Sequence, residues 1–349
     1  MAKKKVIHIG VTGLNNIDSP GPGIAVIRGL RENGKYEVRI IGLSYESMEP
    51  GIYMPGMADK VYQIPYPAAG TDALLQRLTY IHDTERLDLI IPNFDAELYN
   101  FIKLADKLAE LGIQTFLPSL EQLDARDKIN LFHFGKQHDL LVPRDRTIHQ
   151  VYEIPKVATE LSYPIVVKGK YYEAYVCYNY EQAEKAFHKL HAKWGLPIII
   201  QEFVKGTEVN VAALGDGKGN AISIIPMRKM YITDKGKAWA GITIEDDDLS
   251  EMARKFISTT KWKGGFELEV MKTADNKLYI MEVNPRFPAW IYLTAGAGQN
   301  QPAALMHMAL GDTVKPMKKY KVGKLFLRYA WDLIIDVEQF QQISAFGEL

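Results

Sequence analysis

Residues 267–288 read Glu267-Leu268-Glu269-Val270-Met271-Lys272-Thr273-Ala274-Asp275-Asn276-Lys277-Leu278-Tyr279-Ile280-Met281-Glu282-Val283-Asn284-Pro285-Arg286-Phe287-Pro288. Two apolar runs of strand character flank Asp275-Asn276, and Asp-Asn between such runs is hairpin chemistry. Glu269 falls on the first strand. Glu282 and Asn284 fall on the second, two residues apart, and therefore project from one face. Folding about the turn brings Glu269 towards that pair. Two carboxylates and an amide oxygen on one sheet face form a hard, all-oxygen donor set suited to Mg²⁺. Arg286 continues the face and adds a planar cation. A divalent ion beside an arginine is what the terminal phosphates of a nucleotide require. The competing reading makes the same residues the solvated side of an exposed strand.

A chain of 349 residues, 47% apolar and 24% charged, suits two or three globular domains. Its 42 basic and 42 acidic side chains cancel, which argues against an extended nucleic-acid or membrane surface. The single cysteine, Cys177, excludes an internal disulfide and fits a reducing compartment. It reads as a buried small residue rather than a nucleophile. Lys3-Lys4-Lys5 is followed by a short apolar run and no small-residue cleavage pattern, and no run approaches the length of a membrane span. The expectation is a cytoplasmic protein.

The first part alternates strands with helices. Strands are expected at Val6 to Val11, Val38 to Leu43, Leu87 to Pro92 and Gln114 to Leu117. Helices are expected from about Gly23 to Asn33, Thr71 to His82 and Leu98 to Leu111. This alternation predicts an α/β domain with a parallel, doubly wound sheet over residues 1–118. Gly21-Pro22-Gly23 lacks the spacing of a dinucleotide fingerprint and reads as a loop turning into a helix. Asn93, Asp95 and Glu97 either face a ligand from the carboxyl end of a strand or cap a helix. From Ser119 the style becomes α+β: a helix over Leu120 to Gln137, a strand at Tyr163 to Lys168, a helix at Glu181 to Trp194 and a strand at Leu196 to Phe203. A hairpin of Val209 to Leu214 with Ala221 to Met227 follows. Lys324 to Asp336 alternates like a further strand.

Three segments ahead of the hairpin have residue types that a nucleotide needs. Lys128, after Asp127, is within reach of a phosphate. Lys168 ends an apolar strand and is aimed beside the sheet, where a phosphate offsets its desolvation. Gln201-Glu202-Phe203-Val204 is a strand running out, whose carbonyl and amide can read the edge of adenine. Glu208, past a glycine turn, can accept from ribose hydroxyls. Taken singly, each has a bland alternative as a surface or core residue.

In this order the segments resemble the ATP-grasp superfamily, over roughly residues 119–312. The similarity is closest to the branch of the carbamoyl phosphate synthetase large subunit and biotin carboxylase. The resemblance implies an ATP-grasp fold of two lobes, residues 119–205 with the hinge and residues 206–349 with the metal site and a C-terminal extension. It implies that Lys128 and Lys168 are the two phosphate lysines and that Gln201, Glu202 and Val204 are the adenine-reading hinge. Glu208 becomes the ribose carboxylate, and Met281 is counted with the nucleotide-contacting set. Glu269, Glu282 and Asn284 match the metal triad. Arg286, with Lys168, takes the catalytic role of steadying the transferring phosphoryl group. The family's phosphate flap is usually glycine-rich, whereas here it reads Gly169-Lys170-Tyr171-Tyr172-Glu173. Lys170 then supplies charge that backbone amides do not.

The function implied is that of an ATP-dependent carboxylate–amine ligase working through an acyl phosphate, with ATP and Mg²⁺ (or Mn²⁺) as cofactors. A small carboxylate and an amine are its partners. No nucleic acid or membrane is expected, and a homodimer stays open. The alternatives are a bicarbonate-activating enzyme and a nucleotide-binding regulatory subunit.

Overall fold

The buried apolar runs at the start of the chain pair in parallel. β1 (Val6–Val11), β2 (Glu37–Ser44), β3 (Lys60–Gln63) and β4 (Leu89–Ile91) make one sheet in the order β3-β2-β1-β4, and each pairing is parallel. Helices Gly23–Arg31, Gly70–Glu85 and Asp95–Glu110 connect the strands. Neighbouring strand residues feed separate cores. Ile40 and Ile91 join one cluster, and Ile41 and Ile90 join the other. Both faces of the sheet are therefore covered, as a parallel sheet requires. The first helix starts hard against the loop after β1. A Cβ on Gly23 would lie 2.3 Å from the Thr12 carbonyl oxygen, so only glycine lets the Gly23 amide donate to Gly13 at 2.9 Å.

Four further strands, β5 (Asp145–Ile148), β6 (Ile165–Gly169), β7 (Ala174–Cys177) and β8 (Ile198–Glu202), form an antiparallel sheet ordered β5-β8-β6-β7. The remaining six are β9 (Thr207–Asp216), β10 (Ala221–Ile232), β11 (Ala238–Thr243), β12 (Lys263–Lys272), β13 (Leu278–Asn284) and β14 (Leu325–Leu327). They make a sheet ordered β13-β12-β9-β10-β11-β14. A parallel α/β beginning followed by antiparallel α+β sheets is the expected fold class.

This computed structural model describes residues 4–17, 19–170, 173–233, 236 and 238–349. Two units are distinguished, one of Met1–Leu123, Asn210–Glu267 and Asn284–Leu349, the other of Asp124–Val209 and Leu268–Val283. We call them the outer and the inserted unit. In the inserted unit, Ile148, Ile165, Val167, Ile198 and Ile200 share a core with the helix Tyr180–Trp194. Asp145, Val166, Lys168, Ile199 and Gln201 lie on the opposite face by alternation.

Several local expectations are corrected. The Leu120 to Gln137 helix is two pieces, Leu120–Ala125 and Leu131–Gln137. Between them Asp127 Oδ1 accepts from the Ile129 amide at 3.2 Å and Asn130 Nδ2 donates to the Asp124 carbonyl at 3.0 Å. Such short polar side chains compete with the helical ladder. Gln114 to Leu117 forms only an isolated bridge, Leu89 to Gln114. β3 was not anticipated, because Lys60–Gln63 holds only two buried residues. Of Lys324 to Asp336, only Leu325–Leu327 is strand.

Candidate active site

The inserted unit gathers charged side chains on the face opposite its core. Lys168 comes from the end of β6, Lys128 from the break between the two short helices, and Glu269 and Glu282 from β12 and β13. Lys128 Nζ lies 3.5 Å from Glu282 Oε2. The Ile280 amide of β13 donates to the Leu141 carbonyl at 2.9 Å, which ties the strand bearing Met281 and Glu282 to the segment after the lysine's helix. Burial, reinforced by the charge of Lys128, lowers the Lys168 ammonium to about 8, against the pull of Glu282, Asp145 and Glu269. An apolar strand thus delivers an amine whose charge the protein does not fully compensate.

Two acceptors on this face have no donor. Asp145 pairs with Gln201 across β5 and β8, and both residues are buried. Asp145 Oδ2 and Gln201 Oε1 are without a hydrogen-bond partner. Burial raises the Asp145 carboxyl to about 6, against Lys168 and Arg146. Each orphaned group costs about 1–3 kcal/mol. Each isoleucine on the core face contributes about 1.5–3 kcal/mol, so the sheet tolerates an incomplete polar face. Such a face is completed by a ligand with donors.

The hinge is partly spoken for. The Glu202 amide donates to the Arg144 carbonyl at 2.8 Å, and Arg144 Nε lies 2.9 Å from Glu202 Oε2, which holds the Glu202 carboxyl below its usual range. The Glu202 amide is thus engaged by the neighbouring chain, which leaves the expectation of a base-reading amide at Val204 untouched. Val204 and Glu208 are half-buried. A Cβ on Gly206 would sit 2.4 Å from the Lys272 carbonyl oxygen, so the turn between hinge and Glu208 needs glycine. In the flap, the Gly169 amide donates to the Glu173 carbonyl at 3.2 Å and Lys168 pairs with Ala174. Lys170 follows Gly169 directly. Tyr171 and Tyr172 lie outside the described residues.

Asn284 and Arg286 belong to the outer unit. Asn284 is buried, and its Nδ2 donates to Glu267 Oε2 at 3.0 Å. Any contact to a cation would be made by its Oδ1. Arg286 places Nε and Nη2 each 3.1 Å from Asp95 Oδ2 and donates from Nη1 to the Phe287 carbonyl at 3.1 Å. Glu97, which had been open as a ligand group, caps its own helix instead. It accepts from the amides of Asn93 and Phe94 and from the hydroxyls of Thr12 and Tyr45.

Among the described residues, no three His, Cys, Asp or Glu side chains form a metal cage. Glu269 and Glu282 both lie in the inserted unit, and carboxylate oxygens are the kind of ligand a hard cation such as Mg²⁺ takes. Sequence reasoning missed Asp145 and Glu267. Asp145 gave no signal beyond an acid after Pro-Arg. Glu267 did give one, because Glu-Leu-Glu puts it on the same strand face as Glu269.

A family model described as "ATP-grasp in the biosynthetic pathway with Ter operon" matches residues 196–326. The carbamoyl phosphate synthase large chain of Agathobacter rectalis is 23% identical over 287 residues, 75% of this chain. The chain spans only 25% of the length of that curated relative. Among solved structures, the biotin carboxylase domain of Hydrogenobacter thermophilus 2-oxoglutarate carboxylase, with MgADP, ADP and bicarbonate, has a TM-score of 0.68 at 19% identity and covers 89% of this chain and 71% of that one. N5-carboxyaminoimidazole synthetase from Staphylococcus aureus has a TM-score of 0.67 at 16% identity, covering 92% and 82%. The chain resembles the ATP-grasp enzymes of the carbamoyl phosphate synthase and biotin carboxylase branch and shares their fold. Among the described residues no helix is long and apolar enough to cross a membrane.

Proposed function

We propose that this chain binds ATP and joins a carboxylate to an amine through an acyl phosphate, releasing ADP and phosphate. The observation that supports it most is the gathering of Lys128, Lys168, Glu269 and Glu282 on one face of the inserted unit, with Lys168 held near 8. An amine so desolvated gains most from a polyanion. The division at residues 118 and 205 is proposed with it. Lys128 and Lys168 bind the phosphates, Lys170 adds charge from the flap, and the Glu202 carbonyl and Val204 amide read adenine beside Gln201. Glu208 accepts from the ribose, and Met281 packs against the nucleotide. Glu269, Glu282 and the Asn284 oxygen would hold Mg²⁺ (or Mn²⁺), which when bound neutralises phosphate charge. Arg286 steadies the charge on the transferring group once it exchanges Asp95 for it.

The names of the relatives favour one second reading, in which the carboxylate is bicarbonate. The deciding experiment is phosphate release from ATP in a screen of carboxylate and amine mixtures, with mass detection of products. Turnover that needs both an organic carboxylate and an amine supports the ligase. Turnover with bicarbonate alone supports the second reading. ATP binding without turnover in any mixture would leave a regulatory subunit.

A further inference from the structure

Residues 324–336 alternate like a strand in sequence, yet only Leu325–Leu327 pairs, as β14 at one end of its sheet. Beyond it, Tyr329, Trp331 and Ile334 are 81%, 86% and 89% exposed. Among the described residues, 329–335 make no backbone hydrogen bond. The Thr243 amide donates to the Lys324 carbonyl at 2.8 Å, and the Arg328 amide donates to the Trp239 carbonyl at 2.9 Å. The even-numbered backbone groups therefore face β11, and those of Leu325 and Leu327 face the open edge.

The segment is its own complement. Counted outward from Ala330, Tyr329 answers Trp331, Arg328 answers Asp332, Leu327 answers Leu333 and Lys324 answers Asp336. In an antiparallel pair centred on Ala330, each residue stands opposite its counterpart in a second copy. Each charge then meets its opposite, apolar side chains meet apolar ones, and a small residue sits on the two-fold axis. Lys324, Asp332 and Asp336 are exposed. Arg328 donates from Nε to the Ala238 carbonyl at 2.8 Å, and its terminal nitrogens can meet a carboxylate. At about 150–250 Å² for each aromatic, the exposed apolar surface amounts to about 500–800 Å². A stable interface takes about 800 Å² from each partner.

We propose that two copies of this chain pair residues 324–336 antiparallel about Ala330, joining their sheets edge to edge. The test is sedimentation equilibrium of the full chain across the micromolar range, where a reversible dimer is expected. Trp331→Ser should weaken it about 30-fold or more, as for a central aromatic anchor. Asp332→Arg sets like charges opposite Arg328 twice and should weaken it about tenfold or more. Adding Arg328→Asp exchanges the pair and should restore the dimer to within about threefold of the original. Arg328 also packs within its own sheet, so Lys324→Asp with Asp336→Lys provides a second exchange at exposed positions. Amide hydrogen exchange in the unaltered dimer should protect Tyr329, Trp331 and Leu333 and leave Ala330 and Asp332 fast, because only the odd-numbered amides face the partner. A monomer at all concentrations overturns the proposal. So does a dimer indifferent to Trp331→Ser, which would be joined elsewhere. Failure of both exchanges to restore the dimer, or exchange protection without alternation, rules out pairing about Ala330. A monomer that binds anionic vesicles through Trp331 would give this face to a lipid surface instead.

Discussion

Two buried polar clusters, one in each unit, use similar residues to opposite ends. Around Glu97 in the outer unit, two hydroxyls and two backbone amides converge on one carboxylate. Burial pushes that carboxyl up while all four donors pull it down. Around Lys168 in the inserted unit, Asp145 and Gln201 keep acceptors without donors, and a lysine is held near 8. A buried carboxylate met by four donors holds a loop to a helix and asks for nothing more. An unsatisfied one carries a standing cost that a ligand removes. Similar burial thus separates scaffold from site by counting partners.

The sharpest way to break this contrast is to neutralise Lys168. Lys168→Met should lower ATP turnover by about two to four decades, the effect of losing one electrostatic stabiliser. Its unfolding midpoint should hold or rise, because an apolar side chain replaces a poorly compensated charge. Steady-state phosphate release and urea unfolding, run together, check both halves. A protein that loses stability while keeping turnover would place Lys168 in the scaffold.

Glu97→Ala should do the reverse. Removing the acceptor strands the Phe94 amide and the Thr12 and Tyr45 hydroxyls, at a cost of about 3 kcal/mol in stability. The folded fraction should turn over ATP at close to the native rate. A normal urea midpoint together with lost activity would move Glu97 into the site and dissolve the distinction.

The next effect is one of pH. Lys168 must be protonated to meet phosphate, and its proton leaves near pH 8 in the free protein. Affinity for an ATP analogue should be flat below that point and fall about tenfold per pH unit above it, until the bound lysine also titrates. Stability runs the other way. An unfolded lysine keeps its proton to 10.5, so between about 8 and 10.5 the unfolded state holds more protons and the folded state gains as pH rises. Calorimetric titration across this window, with Lys168→Met as control, gives the answer. Equal slopes for both proteins would mean that another group is responsible.

The sequence exposed those parts of the molecule that local chemistry decides. Asp275-Asn276 marked the hairpin, and Asn276 takes positive φ there. The alternation of Glu282, Asn284 and Arg286 marked one face of β13 and its continuation. Lys168 was visible because a lysine closing an apolar strand is unusual. What stayed hidden depends on distant partners. Asp145 is an ordinary acid until β5 pairs with β8 and places it beside Gln201. Glu267 is one of two glutamates in a strand until Asn210 and Trp290, 57 and 23 residues away in sequence, converge on it. The broken helix around Lys128 was missed because apolar spacing outvoted the Asp and Asn side chains that cut it.

The smallest effect tests how far the incomplete cluster extends. Lys170 follows β6 directly, in a connection closed by the bond from the Gly169 amide to the Glu173 carbonyl. Glu173 itself takes positive φ, 67°, and Tyr175 Oη donates to its carboxylate at 2.8 Å. Charge added beside Lys168 would then come from the Lys170 side chain. Lys170→Ala should then raise the ATP KM and lower kcat together, each by about three- to tenfold, because the lysine meets the phosphates in both the ground and transition states. If KM rises alone, Lys170 binds nucleotide without assisting transfer. If both constants stay within about twofold, ordinary for a surface change, the cluster ends at Lys168 and the flap makes no contribution through charge. Glu173→Gly separates the two ideas, since a glycine there relieves the positive φ. Recovery of KM in Lys170→Ala combined with Glu173→Gly would mean that loosened backbone amides can take over the work of the lysine.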